Sequence, residues 1–317
     1  MEERVAAFLH YMSAERGSSK NTIDAYRNDL SGFAEFVQRE RNPHTSNSNG
    51  AAPDPGGVIG ELDRELILDY ITWLTDDGPG GKGYAKATAA RKVAAVKSFC
   101  SFLLDSGDLI KNPTASVDSP RAPKPVPQPL STTEIDMLLR APLRNDSAEA
   151  ERDAAMLELM YATGMRVTEL VSLNMDSIHL SPPPCYVRCL GKGAKERTIP
   201  VYAQAARSLE HYLDNARPTL LRNRPQSALF VNRRGERLTR QGFWLILKGY
   251  AKVANIESHV TPHTLRHSFA THMLRGGASL RAVQELLGHA NVSTTQVYTQ
   301  LADDQLRRVY NEVHPRA

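Results

Sequence analysis

At 317 residues, with 41% hydrophobic and 23% charged side chains, the chain has the composition of a soluble globular protein and length enough for about two domains. No uncharged apolar run reaches the roughly 18 residues of a membrane span, the start "MEERVAAFLH" lacks the basic-then-apolar layout of a signal peptide, and three cysteines without a CxxC pair fit buried apolar roles in a reducing cytoplasm, not a disulfide framework or thiolate zinc site. Charge is uneven: residues 1–130 carry 15 Lys and Arg against 17 Asp and Glu, residues 131–317 carry 24 against 18, and the basic half would suit a nucleic-acid partner, although solvated surfaces also look like this.

The first body reads as wholly helical. After an opening helix around Val5–Met12, Ile23, Tyr26, Leu30, Phe33 and Val37 recur at steps of three and four, the stripe of an amphipathic helix. A polar Gly/Pro-rich stretch, "NPHTSNSNGAAPDPGGVIG", spans 42–60 and is expected to be a mobile loop. Ile67, Tyr70, Ile71 and Leu74 form the next stripe, "DDGPGGKG" a Gly-rich joint, and Val93, Val96, Cys100 and Leu103 a stripe again, for about four helices. The last of them also carries Arg91, Lys92 and Lys97, which suit either a solvated outer face or contacts to phosphates. Six of the 19 prolines then fall between Asn112 and Leu130, where alternate prolines forbid helix and favour an extended strap. These signals predict domains at 1–110 and 131–317, joined by a linker at 111–130.

The second body mixes element types. A helix is expected over 151–162, ending at "ATGMR", and "CYVRCLGKGAKERTIPV" reads as two strands joined by a Gly-containing turn at 191–194. Helices dominate from Ala203 onward. Thr261 followed by Pro262 is a helix start, with a capping hydroxyl and then proline in the first turn, and Gly276–Gly277 a stop.

That helix contains "HTLRHSFATH". His263 and His267 stand one turn apart, the spacing zinc proteases use, but the general-base Glu of that motif is absent and Arg266 lies between them. His263 and Arg266 share a face near the positive end of the helix and look like anion ligands. Three other segments bear on the anion. "YATGMRVTEL" places Arg166 after a Gly-marked break and Glu169 three residues on; "LGKGAKER" places Lys192 at a hairpin tip, with Lys195 beyond it; "LLGHANVSTTQVYTQL" places His289 after a helix-ending Gly288 and Tyr298 nine residues later. Singly each has a plain structural explanation: an ion pair, a solvated turn, a cap contact, a core tyrosine. Together they form a coherent set for phosphodiester chemistry. Two arginines can grip the non-bridging oxygens, a tyrosine hydroxyl of pKa about 10 becomes a nucleophile when a base or positive field helps it ionise, a histidine can supply that help, and a lysine can protonate a departing oxygen. No Gly-x-x-x-x-Gly-Lys-Ser/Thr loop and no carboxylate set spaced for two metals occurs in the sequence.

The motifs "ATGMRVTEL", "GKGAKER", "HTLRHSFATHML", "LLGH" and "TTQVYTQL" resemble, in order, those of the tyrosine recombinases, and the Xer branch most closely, with similarity through nearly the whole chain. The resemblance implies a mainly α fold with a small β-sheet: a helical core-binding domain and an α+β catalytic domain forming a C-shaped clamp on double-stranded DNA. It implies Arg166 and Arg266 as phosphate clamp, Tyr298 as nucleophile, Lys192 as general acid, His263 and His289 in acid–base and hydrogen-bonding support, and Glu169 orienting Arg166. Arg91, Lys92, Lys97 and Lys195 are candidate DNA contacts. It further implies no metal, cofactor or ATP, and a tetramer on two DNA sites, either a homo-tetramer or a hetero-tetramer with a paralogous Xer recombinase. Neighbours would exchange a helix at about Asp303–Val313. The expected role is resolution of chromosome dimers before cell division; an integrase of a mobile element, a type IB topoisomerase and a non-catalytic DNA-binding regulator are the alternatives. The 42–60 loop, the 76–83 joint and "SPPPC" at 181–185 depart from the family pattern without touching a catalytic motif.

Overall fold

A computed structural model describes residues 1–41, 59, 62–79, 83–120, 128–190, 196–256, 258, 260–288 and 300–317. The expected loop at 42–60 (but for Ile59), residues 121–127 of the proline-rich segment, the expected turn at 191–194 with Lys195, and the segment 289–299 lie outside the described residues. The fold is mainly helical with one small sheet, and it divides into two compact units, Met1–Pro125 and Val126–Ala317.

The first unit holds α1 (Glu2–Ala14), α2 (Lys20–Arg41), α3 (Arg64–Thr72) running on into a π-helical turn (Trp73–Asp77), and α4 (Lys86–Asp105). The apolar stripes read from the sequence supply much of its core: Leu30, Phe33, Val37, Ile67, Val96 and Leu103 are buried, joined by Phe8 and Phe99, each worth about 1.5–3 kcal/mol on leaving water, while Ile23, Tyr26 and Ile71 are half-buried at its edge. Rings pack edge-on, Phe8 against Phe99 at 5.6 Å and Phe33 against Tyr70 at 4.9 Å. Helix α3 starts where the Asp63 carboxylate accepts from the Leu66 N–H at 2.8 Å. The Gly-rich joint has a steric cause, since a Cβ on Gly83 would fall 1.8 Å from the Thr75 carbonyl oxygen. Val117, inside the proline-rich segment, belongs to this core, whereas Leu130 belongs to the core of the second unit.

In the second unit α5 (Thr132–Arg140) opens with a capping box between Ser131 and Glu134. Helix α6 (Ala148–Thr163) runs through the middle, buried at every position from Arg152 to Thr163. Gly164, left-handed at φ +57°, ends it, and α7 (Val167–Ser172) follows. The sheet is antiparallel in the order β1 (Ile178–His179), β2 (Tyr186–Leu190), β3 (Glu196–Pro200). Val187 pairs with Ile199 and Cys189 with Arg197, so these four residues share the face turned to the core. The two-residue β1 was not anticipated, being too short to show any alternation. Then come α8 (Ala203–His211), a π-helical turn (Tyr212–Ala216), α9 (Arg217–Leu221), α10 (Arg240–Val253), α11 (Pro262–Arg275), α12 (Leu280–Leu287) and α13 (Gln300–Val313).

The end of the chain packs on its own unit. The Tyr310 hydroxyl donates to the Ala162 carbonyl at 2.9 Å, and the His314 ring lies among Tyr161, Tyr202, Phe269 and Tyr310 with centroids 4.7–5.8 Å away. Arg316 pairs with Glu158 at 3.0 Å and with Asp136. The cysteines are free: Cys100 and Cys189 are buried, which pushes their thiols up to about 12, while the half-buried Cys185 donates to the Leu180 carbonyl. No helix among the described residues is long and apolar enough to cross a membrane.

Candidate active site

The site is built on the break after α6. Gly164 must be glycine twice over, for its positive φ and because a Cβ there would lie 2.3 Å from the Phe269 ring. Two residues later Arg166 sits at the N-cap of α7 in extended conformation, with Glu169 at the third helical position. Glu169 closes the turn: one carboxylate oxygen accepts from the Arg166 backbone N–H at 2.8 Å, the other from the Arg166 guanidinium at 3.1 Å. Arg166 remains 43% exposed while the Glu169 side chain is 6% exposed. The pair faces outward at one end only.

Helix α11 supplies the second arginine. The Thr261 hydroxyl accepts from the Thr264 N–H at 3.0 Å, and Pro262 occupies the first helical position. That start places His263 on the exposed first turn and Arg266 one turn deeper, where it is buried. Arg266 donates to the Gly164 carbonyl and to the Leu287 carbonyl, each at 2.8 Å. Arg166 reaches the carbonyls of Leu287 and Gly288 at 3.5 Å. A third guanidinium, that of Arg197 on β3, donates Nε to the Leu286 carbonyl at 3.1 Å and forks onto both oxygens of Glu169 at 2.9 and 2.7 Å. The carbonyls at the end of α12 thus gather three arginines, where the helix dipole is negative and favours cations.

The electrostatics follow from burial and crowding. Burial, and then the neighbouring Arg166 and Arg197 charges, push the Arg266 guanidinium down to about 10. Burial alone would push the Glu169 carboxyl up. The hydrogen bonds from Arg197 and the Arg166 backbone, with both guanidinium charges, outweigh it and hold Glu169 below the usual carboxylate range. Three cations around one anion leave a concentrated positive excess, a ready seat for an anion that brings several acceptor oxygens.

The structure therefore joins Arg166, Glu169 and Arg266, three of the residues singled out in the sequence, and sets His263 on the turn above Arg266. Lys192, Lys195, His289 and Tyr298 lie outside the described residues; β2 and β3 flank residues 191–195, and Gly288, which caps the end of α12, precedes His289. Among the described residues no group of three His, Cys, Asp or Glu is placed to hold a metal ion. Arg197 is the residue the sequence reading missed; its alternation with the buried Ile199 was the available signal.

In the first unit the three candidate DNA contacts separate. Lys92 is buried, 3.3 Å from Asp29 and 5.1 Å from the centre of the Tyr84 ring, so it lies on no solvated face. The Lys97 ammonium donates to the Val117 carbonyl. Arg91 also pairs with Asp29 but keeps its side chain 52% exposed, which leaves it alone of the three with much surface to offer a phosphate.

Residues 128–305 match the phage integrase family, and residues 5–49 match the phage integrase N-terminal SAM-like domain. Among curated proteins, tyrosine recombinase XerC of Herpetosiphon aurantiacus is 46% identical over 305 residues, covering 96% of this chain and 92% of its own length. Tyrosine recombinase XerD of Halalkalibacterium halodurans is 45% identical over 310 residues, 98% of this chain and 97% of its own. Among solved structures, the XerH site-specific recombinase bound to palindromic difH substrate, a post-cleavage complex, aligns with a TM-score of 0.67 at 20% identity, over 96% of this chain and 83% of that one. A lambda integrase(75-356) dimer bound to a COC' core site aligns with a TM-score of 0.63 at 16% identity, over 95% and 99%. At those identities the two structures speak for the fold.

Proposed function

Because the chain belongs to the phage integrase family, as a site-specific tyrosine recombinase of the Xer branch, we propose that Tyr298 attacks a DNA phosphodiester clamped by Arg166 and Arg266. The observation that carries this reading is the convergence of both guanidinium groups on the Leu287 carbonyl, with Glu169 as the carboxylate between Arg166 and Arg197. As the tyrosine oxygen approaches phosphorus, charge gathers on the non-bridging oxygens, and cations fixed in advance stabilise it without reorganising. The bond from phosphorus to the 5′ oxygen breaks, and Lys192 gives that oxygen its proton. The product is a 3′-phosphotyrosyl ester, so the energy of the broken bond is kept. Attack by the 5′ hydroxyl of another strand reverses the step and rejoins DNA, with no ATP consumed. His263 and His289 assist proton movement and bind the phosphate. Guanidinium and ammonium groups supply the charge a dication would, so the reaction proceeds in excess EDTA.

The substrate is double-stranded DNA, which Arg91 and Lys195 contact through phosphates, and two sites are brought together in a tetramer. Near full-length similarity to proteins named XerC and XerD supports a role in resolving chromosome dimers in the cytoplasm, alone or with a paralogous Xer recombinase. Trapping tests the chemistry. A nicked target site releases the short strand after cleavage, so a denaturation-resistant adduct through Tyr298 accumulates. Tyr298→Phe abolishes it while DNA binding stays within a few-fold, since only one hydroxyl is lost. A normal adduct yield from the Phe variant would reject Tyr298 as nucleophile.

A further inference from the structure

We propose that Arg197 is a positioning residue for DNA cleavage, its guanidinium locking the carboxylate that orients Arg166, the strand β3, and the end of α12 into one rigid frame. The inference rests on the recombinase reading above and deepens it. Its basis is a single side chain with three bonds to two other elements. Nη1 and Nη2 fork onto Glu169 at 2.9 and 2.7 Å, and Nε donates to the Leu286 carbonyl at 3.1 Å. Glu169 uses the same two oxygens to hold the Arg166 backbone N–H and guanidinium. Gly288, the residue before His289, lies directly on this guanidinium: a Cβ there would meet Nη1 at 3.0 Å and the Cδ and Cζ atoms at 3.1 Å. Arg197 opposes Cys189 in the register of β2 and β3, so its own backbone is fixed by the sheet.

The geometry needs an arginine. A planar fork satisfies both carboxylate oxygens at once while its third edge reaches a carbonyl; an ammonium is a single point and can do only part of this. The side chain is 13% exposed and its donors are turned to Glu169 and Leu286, so it acts through Arg166 and the α12 end and not on the phosphate itself.

The groups facing Glu169 are Arg166 at its own helix start, Arg197 from β3, Arg266 from α11 and Cys189 from β2. Removing the Arg197 charge leaves burial less opposed, so Glu169 takes up a proton at higher pH and releases Arg166. A residue that merely filled space would leave that titration where it was.

The test uses the full chain, with Arg197→Met and Arg197→Lys, in single-turnover adduct formation on nicked DNA at saturating concentration. The expected results are a fall of about 10²-fold in cleavage rate for Arg197→Met, as misplacement of a catalytic group produces, with DNA affinity within about 3-fold, and an acid limb of the rate profile moved to higher pH. Arg197→Lys restores the limb toward wild type and recovers part of the rate. Cleavage within about 2-fold of wild type in both variants, or a rate loss in Arg197→Met with an unmoved acid limb, overturns the assignment. Should Arg197→Met not fold, Arg197→Gln takes its place with the same two readouts, since it too removes the charge and the fork. Absence of any adduct from the wild-type chain, or its persistence in Tyr298→Phe, would instead count against the recombinase chemistry, leaving the two failures distinct.

Discussion

Arg266 and Arg166 donate to one oxygen, the Leu287 carbonyl, at 2.8 and 3.5 Å. Two guanidinium groups within reach of one point repel each other, and the lowering of Arg266 to about 10, by burial first and Arg166 next, is the sign of that cost. Helix α12's carbonyls and Glu169 offset part of it. A phosphate seated against both offsets more, and most when its oxygens carry the extra charge of the transition state, which is the differential binding that accelerates a reaction.

Arg266→Ala and Arg166→Ala are therefore expected to slow adduct formation at saturating DNA by about 10²–10³-fold, the usual cost of one charge-stabilising donor. Arg266→Lys should recover little, because one ammonium cannot span the Gly164 and Leu287 carbonyls and also bind an anion. Rates within 10-fold of wild type for either Ala variant, in protein with a native circular dichroism spectrum, would remove that arginine from the clamp.

Gly164→Ala is expected to destabilise the second unit by about 2–5 kcal/mol, from left-handed strain together with overpacking against the Phe269 ring 2.3 Å from the new Cβ. Denaturant unfolding measures it, and a loss under about 1 kcal/mol would mean that the α6–α7 corner relaxes more freely than its packing implies. Gly288→Ala meets the same strain at φ +65° but presses on Arg197 instead of a core ring. Its larger effect should fall on cleavage rate.

How much of this was legible in the sequence depended on how local each signal was. Thr261–Pro262 at the start of α11, Gly164 at the end of α6 and the β2–β3 pair rest on neighbouring residues, and the expected signals match the elements found. Arg197 was not legible as a functional residue, because in "KER" it reads as one more solvated charge and its partner Glu169 stands 28 positions away. The same holds for Lys92, whose burial only makes sense once Asp29 is beside it, and for Arg316, tied to Glu158 across 158 positions. A buried charge is a statement about a distant partner, and a single sequence does not pair them.

The His314 ring gives a pH-dependent contribution with a definite sign. Burial, with Arg316 and His272 nearby, pushes it down to about 3 in the folded chain, against about 6.5 when unfolded. The unfolded chain binds the proton more tightly, so stability is full above pH 6.5 and is lost progressively as pH falls toward 3. Between pH 7 and pH 5 the loss from this group is about 2 kcal/mol. His314→Phe keeps a flat ring among Tyr161, Tyr202 and Tyr310 but cannot titrate. It should lower stability modestly at pH 7, through loss of the bond from the Arg316 N–H, and flatten the pH dependence. Parallel stability curves for the two proteins from pH 7 to 5 would show that the ring is protonated or exposed in the folded chain.

The last prediction separates the arginines from Lys192 by chemistry. If Lys192 protonates the leaving 5′ oxygen, its loss matters only while that oxygen is a poor leaving group. A 5′-bridging phosphorothiolate departs as a thiolate and needs no proton. Lys192→Ala should then fail on ordinary DNA and recover most of its cleavage rate on the sulfur substrate, whereas Arg166→Ala and Arg266→Ala should stay impaired on both, since their charge serves the non-bridging oxygens either way. A lysine that is only a solvated hairpin tip would cost little on ordinary DNA. Equal failure of Lys192→Ala on both substrates would assign it to the phosphate clamp and leave the acid to be found, with Lys195 the next residue to substitute. Because β3 carries Arg197 two positions beyond Lys195, the comparison also tests how the frame bears on the acid. Arg197→Met displaces Arg166 through Glu169, so it should remain slow on the phosphorothiolate whatever Lys192 does there.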